Sequence, residues 1–322
     1  MHGDRLRQLL AVLVSCGWLA CQPSPEIPRA KAENPEAVLD LPGLLVTASW
    51  LSDRLDHPRL VVFDTRPEAD YLGGHVPESV SFPTTVTFDV DRSDKLPPVP
   101  EVEKLLGAAG VHAGKTVVVY DQGDFRRAAR VLWMLEVHGH SRVAALDGGY
   151  AQWLADGLPA STTPHRPTPA TFIANVAPEH LASLFQTRQS IDDPRTVIVD
   201  ARSPGEYDGL EDQWPRNGHI PGAINVEWQR NLDEEQSVAV FRDPNTLRAL
   251  YPYEPGTRFI AYCNRGQRAA IAYLALRLAG FEAAVYDGSW SEWSSHPEVP
   301  VAPPDPSDRR RIDEDDAARS SE

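Results

Sequence analysis

Val197-Ile198-Val199-Asp200-Ala201-Arg202 decides the fold, because the chain contains a near copy of it in Val61-Val62-Phe63-Asp64-Thr65-Arg66. Each copy is an apolar, β-branched run that ends in an acid, a small residue and a base. Such a run suits a short strand buried on both faces. Four more pairs follow in the same order. Asp70-Tyr71 is echoed by Glu206-Tyr207, and Gly74-His75-Val76-Pro77 by Gly218-His219-Ile220-Pro221. Residues 117–120 match 259–262, and Asp147-Gly148-Gly149-Tyr150 with Trp153 matches Asp287-Gly288-Ser289-Trp290 with Trp293. The offsets stay between 136 and 144 residues. Ordered self-similarity of this kind means a duplicated unit.

Within each unit, short apolar strands alternate with helical stretches. Strands are expected near 60–64, 79–82, 116–120 and 142–146, then near 196–200, 223–226, 258–262 and 283–286. Helices are expected near 125–138 and 267–279. The alternation predicts an α/β fold with a parallel sheet and helices on both faces in each unit. The expected domains are 40–158 and 171–302, joined by a linker over 159–170 that carries four prolines. Residues 303–322, rich in Asp, Arg and Ser and free of aromatics, read as a solvated tail.

Composition removes several function classes. The 322 residues hold 46 Asp+Glu against 31 Lys+Arg, a net charge of −15, so no basic surface is available for sequence-independent nucleic-acid binding. Three cysteines are too few for a disulfide scaffold or a Cys-rich metal site. No metal or cofactor is expected. The N-terminus has Arg5 and Arg7 before apolar residues 9–14 and 18–20, a charged segment and a short apolar one, as in an export signal. Residues 1–21 resemble a bacterial lipoprotein signal, with Cys21 or Cys16 as the lipidated residue and 22–39 as a polar, Pro-rich tether. That resemblance implies export to the periplasm or cell envelope on a lipid anchor. With Cys21 lipidated, Cys263 would be the one thiol of the mature body.

Cys263-Asn264-Arg265-Gly266-Gln267-Arg268 lies between the expected strand 258–262 and helix 267–279. A loop of this length at a helix start can turn its backbone N–H groups toward one point, which suits an anion. A sulfur there is favoured as thiolate. Gly266 allows a backbone angle that side chains resist, and Arg265 and Arg268 add fixed charge. A thiolate so placed can attack an electrophilic sulfur carried on an anion without a general base and form a persulfide, which a second nucleophile then discharges. In the first unit Asp121 stands where Cys263 stands, so that unit cannot form a persulfide and reads as a scaffold. The alternative for Cys263 is a small buried hydrophobe.

In these segments, and over roughly residues 40–300, the chain resembles the tandem-domain rhodaneses, the thiosulfate and 3-mercaptopyruvate sulfurtransferases. The resemblance implies two rhodanese-like domains, the first silent and the second carrying the persulfide-forming Cys263. It implies small-molecule partners: a sulfur donor and a thiophilic acceptor such as cyanide. It makes Asn264, Arg265, Gly266, Gln267, Arg268 and Arg216 candidates for substrate binding, the last because the matching stretch in the family can supply a substrate-contacting Arg. Asn264-Arg265 matches neither family branch after the cysteine. The Arg265 cation favours thiosulfate, with 3-mercaptopyruvate as the alternative donor. Glu206 stands where both branches often carry an Arg, which leaves a non-catalytic, lipid-anchored binding module as a further reading. A phosphatase loop would place Arg six positions after Cys, where Ala269 stands, so a phosphate-sized ring is not expected.

Overall fold

The computed structural model describes residues 38–89, 95–211, 213–233 and 238–302. The expected signal segment and tail lie outside them. The first half contains β1 (Leu45–Val46), α1 (Ala48–Ser52), β2 (Leu60–Asp64), α2 (Glu68–Gly73), β3 (Ser79–Ser81), α3 (Val99–Ala108), β4 (Thr116–Tyr120), α4 (Arg126–Val137), β5 (Val143–Leu146) and α5 (Gly149–Ala155). The second contains β6 (Leu181–Ala182), α6 (Leu184–Ser190), β7 (Thr196–Asp200), α7 (Pro204–Tyr207), β8 (Ile224–Asn225), β9 (Leu232–Asp233), β10 (Val240–Phe241), α8 (Pro244–Leu250), β11 (Arg258–Tyr262), α9 (Gln267–Leu278), β12 (Glu282–Tyr286) and α10 (Ser289–Ser295).

Strand order is β1-β5-β4-β2-β3 in one sheet and β6-β12-β11-β7-β8 in the other, the same order element for element. All pairings in both sheets are parallel. The duplicated sequence thus folds as a duplicated α/β unit. The small β9–β10 hairpin in the second half has no counterpart among the described residues of the first. Its residues, like the two-residue edge strands β1 and β6, were not foreseen, since so short a run carries no periodicity.

The strand period sets the layers. Val117 and Val119 face one side of the first sheet, and Val118 and Tyr120 the other. Phe259, Ala261 and then Cys263 face one side of the second sheet, while Ile260 and Tyr262 face the other. The faces bearing Val119 and Ala261 share one core, with α4 and α9 between the sheets. Both helices are buried almost all round, as expected of helices packed on several sides. Ala128, Ala129, Ala269, Ala270, Ala272 and Ala275 keep them slim enough to fit there.

The stretch expected as a linker is held against the first half rather than hanging free. Ser161 pairs with His75 in an antiparallel bridge, and the Ala170 N–H donates to the Gly107 carbonyl at 2.8 Å. Asn175 and Ala177 donate to the carbonyls of His138 and Val137 at 3.1 and 2.8 Å. Prolines fix the path of this segment, but its remaining amides still require acceptors, and the first half supplies them.

Candidate active site

Tyr262 ends β11 and Cys263 follows it, at the carboxyl edge of the parallel sheet. Asp200 at the end of β7 accepts from Arg202 (2.6 Å, NH2 to Oδ2) and from the Tyr262 hydroxyl (2.5 Å). Arg202 also donates to the Gly218 carbonyl at 2.8 Å. The first half repeats the knot with Asp64, Arg66, Tyr120 and the Gly74 carbonyl. His219 stacks on Tyr207 at 3.7 Å between ring centres, as His75 does on Tyr71 at 3.8 Å. Asp200 and His219 therefore hold the strand ends together. The buried charge of Asp200 is paired with that of Arg202, which burial demands. Trp290 and Trp293 are core side chains, and Trp290 lies under the Arg202 guanidinium at 4.4 Å.

The turn after β12 fixes the backbone of the cysteine loop. The Cys263 N–H donates to Ser289 Oγ at 3.3 Å, and its carbonyl accepts the Trp290 N–H at 2.9 Å. The Asn264 carbonyl accepts from the Ser291 N–H at 3.2 Å. Gly266 then turns the chain into α9 at φ +79°. A Cβ there would also lie 2.4 Å from NH1 of Arg130, so glycine is favoured on both counts. Cys263 is 2% exposed, and its side chain borders the shared core.

The first half displays what such a loop binds. Asp121 follows β4 as Cys263 follows β11. One carboxylate oxygen accepts from the N–H groups of Gly123 and Phe125 at 2.9 and 3.2 Å, and the other from Arg127 and Ala128 at 3.0 and 3.1 Å. Four backbone donors thus converge on one buried anion. Burial, joined by the charge of Asp124, raises the Asp121 pKa despite those donors. Counted from the helix start, Phe125, Arg127 and Ala128 correspond to Gly266, Arg268 and Ala269. The N–H groups of these three take no acceptor among the described residues. Phe125 holds the left-handed angle (φ +59°) that Gly266 holds in the second loop.

The site residues predicted from sequence divide into groups. Cys263 and the backbone of residues 264–268 form one compact loop at the start of α9. Arg265 is exposed, with its guanidinium 6.0 Å from the Trp214 ring. Gln267 is the first residue of α9 and is half-buried. Asn264 and Arg268 both turn to Glu206: Asn264 Nδ2 donates to Oε1 at 2.6 Å, and Arg268 donates to Oε2 at 2.6 Å and to Oε1 at 2.8 Å. Burial would raise the Glu206 pKa, but the hydrogen bonds and charge of Arg268, with help from the Ser203 N–H and Asn264, bring it down to about 2.

Arg216 is a correction. Its guanidinium donates to the carbonyls of Ser294 (3.0 Å), Val299 (2.8 Å) and Trp293 (2.6 Å), and to that of His296. These carbonyls lie at and beyond the end of α10, where helix carbonyls lack partners and favour a cation. Arg216 closes that helix and does not belong to the anion loop.

Arg130 meets the second half through a partner that local spacing does not reveal. Arg130 on α4 donates to Asp287 Oδ1 at 3.2 Å from both NH1 and NH2, and to the Arg265 carbonyl at 3.4 Å. Asp287 Oδ2 accepts from the Leu96 N–H at 2.6 Å, and Lys95 pairs with Glu292. The one available signal was a buried-pattern helix that carried an arginine among apolar residues. A cavity of about 620 Å³ opens between the halves, with Lys95, Leu96 and His138 of the first and Phe185, Asp287 and Gly288 of the second in its lining.

The rhodanese-like domain family matches this chain twice, at residues 47–156 and 184–296. A thiosulfate sulfurtransferase of Pseudomonas aeruginosa is 32% identical over 81% of this chain and 97% of its own length. A human 3-mercaptopyruvate sulfurtransferase is 31% identical over 89% of this chain and 93% of its own. The crystal structure of a 3-mercaptopyruvate sulfotransferase from Escherichia coli superposes with a TM-score of 0.69 at 29% identity, over 77% of this chain and 99% of that one.

Proposed function

Since the chain belongs to the rhodanese-like family of sulfurtransferases, we propose that it moves the outer sulfur of thiosulfate to a thiophilic acceptor such as cyanide through a Cys263 persulfide. The observation that carries this reading is the Asp121 cradle. The matching loop in the first half, one residue longer between strand and helix, surrounds a buried anion with four N–H donors, and Cys263 follows β11 as that anion follows β4. A loop so built stabilises a negative sulfur before and after transfer.

The chemistry follows in two displacements. The Cys263 thiolate attacks the outer sulfur of thiosulfate. A sulfur–sulfur bond forms to the cysteine, the bond to the oxidised sulfur breaks, and sulfite leaves with that electron pair. Cyanide then attacks the terminal sulfur of the persulfide. Thiocyanate departs and the thiolate is restored. Donors from the amides of Gly266, Arg268 and Ala269 hold the negative charge in both states, Gly266 shapes the turn, and Arg265 gives the rim an exposed cation. The preference for thiosulfate over 3-mercaptopyruvate rests on that cation.

Steady-state rates with thiosulfate and 3-mercaptopyruvate in parallel, with cyanide as acceptor, test the reading. Turnover is expected with thiosulfate and is lost in Cys263→Ser. Faster turnover with 3-mercaptopyruvate reassigns the donor, and no turnover with either supports a binding module. The reading also places the enzyme at the cell envelope, anchored through Cys21 or Cys16. Incorporation of labelled fatty acid into the full chain, lost when the cysteine is replaced, checks this.

A further inference from the structure

The cavity between the halves has the size and lining of a ligand pocket. Its volume of about 620 Å³ suits a small organic molecule, and no residue of the 263–268 loop lines it. The walls are largely apolar. Val99 of α3, Val176 of the segment between the halves and Phe185 of α6 all face it and are exposed, Phe185 by 65%. Such side chains need no account when scattered singly; converging on one hollow, they mark a binding surface. The charges in the lining are already matched. Asp287 accepts from Arg130 at 3.2 Å and from the Leu96 N–H at 2.6 Å. Lys95 pairs with Glu292, which also accepts from the Tyr286 hydroxyl at 2.9 Å. His296 Nδ1 lies 2.7 Å from Glu298 Oε1. The described lining therefore offers a charged ligand no free counter-charge, and desolvating such a ligand would go uncompensated.

One buried polar atom in the lining is left over. His138 closes α4, lines the cavity and is 3% exposed. Its Nδ1 lies 2.7 Å from the Met134 carbonyl, which can only accept, so Nδ1 carries the proton. Burial lowers the pKa of the ring and keeps it neutral. Nε2 is then a lone-pair acceptor with no partner among the described residues. His140 Nε2 also lacks a partner but is sealed in the core, whereas His138 Nε2 is open to the cavity. A buried acceptor of this kind calls for a donor. We infer that the cavity is a binding site for a neutral phenol, separate from the sulfur-transfer loop, with the aromatic body against the apolar walls and the hydroxyl donating to His138 Nε2. The Phe185 ring and the flat faces of Pro97, Pro98 and Pro178 suit an aromatic body. A phenol stays uncharged near neutral pH and supplies the one donor the site lacks.

Calorimetry on the full chain near neutral pH compares 2-naphthol with 2-methoxynaphthalene, which keeps the rings and lacks the donor. Wild type is expected to bind one 2-naphthol per chain, about tenfold tighter than the ether, the usual worth of one buried hydrogen bond. His138→Phe keeps a ring but no acceptor and is expected to bring the two affinities together. Phe185→Ala removes an exposed wall, spares the core, and is expected to weaken both compounds about fivefold. Excess thiosulfate should displace neither. The inference fails if wild type binds neither compound, if the two bind alike, or if a folded His138→Phe protein keeps the difference. It fails equally if thiosulfate displaces 2-naphthol, which would move the ligand to the cysteine loop, or if the chain forms a dimer that Phe185→Ala dissolves, which would make a second copy the occupant. Should His138→Phe misfold, Phe185→Ala decides: unchanged affinity for 2-naphthol overturns the site. None of these readouts uses sulfur transfer, so absence of that activity leaves the test intact.

Discussion

Arg130 of the first half donates both terminal nitrogens to Asp287 of the second at 3.2 Å, and the pair is buried. The same guanidinium lies against Gly266 and the Arg265 carbonyl. One side chain therefore touches both the contact between the halves and the turn of the cysteine loop. Removing one partner of a buried pair leaves the other charge without compensation. Arg130→Met is expected to cost about 3–5 kcal/mol in urea unfolding. A loss below about 1 kcal/mol would show that the pair contributes little beyond what apolar packing supplies.

Asp121 is expected to behave as a structural anion. Asp121→Ala removes the acceptor of four amides at the start of α4. Buried donors left without partners, at a helix end that favours negative charge, should cost about 2–4 kcal/mol. Sulfur transfer at saturating donor should persist in the protein that remains folded, because the second loop is untouched. Lost turnover in a folded Asp121→Ala protein would contradict the reading of the first half as scaffold.

The Glu206 carboxyl has a pKa of about 2 in the folded chain against its ordinary 4.5. Because the folded value is depressed, the stabilisation is full above pH 4.5 and is lost as pH falls toward 2. Wild type should exceed Glu206→Gln by about 1–3 kcal/mol near neutral pH, a value discounted for partial solvent access. That difference should shrink below pH 4.5. A difference that stays constant down to the acid transition would mean that shape, not charge, is responsible.

Much of this was legible in the residues. The paired Asp-x-Arg strand ends, the repeated Gly-His-x-Pro turn and the strand-to-helix loops fixed the duplicated α/β plan, since strands buried on both faces leave long apolar runs. Cys263 and its loop were legible for the same reason. The partners of that loop were not. Glu206 is 58 residues from Asn264 and 62 from Arg268, and Arg130 is 157 from Asp287. Nothing in local spacing joins such residues. Arg216 misled because a loop arginine reads alike whether it meets a substrate or a row of helix-end carbonyls.

Gly266 offers a separate test of loop geometry. Gly266→Ala must hold a left-handed angle and push Arg130 aside. Persulfide formation is expected to slow about a hundredfold, the usual effect of misplacing a reacting group by about an ångström. Rates within about twofold of wild type would mean that the loop tolerates a rearrangement the present geometry forbids.

Intact mass of the full chain after brief exposure to thiosulfate, with acceptor withheld, probes the sulfur chemistry most directly. Wild type should gain one sulfur atom at Cys263, lose it again on adding cyanide, and show neither change as Cys263→Ser. A wild-type mass that stays unchanged with a folded protein, or an equal gain in Cys263→Ser, would contradict the account.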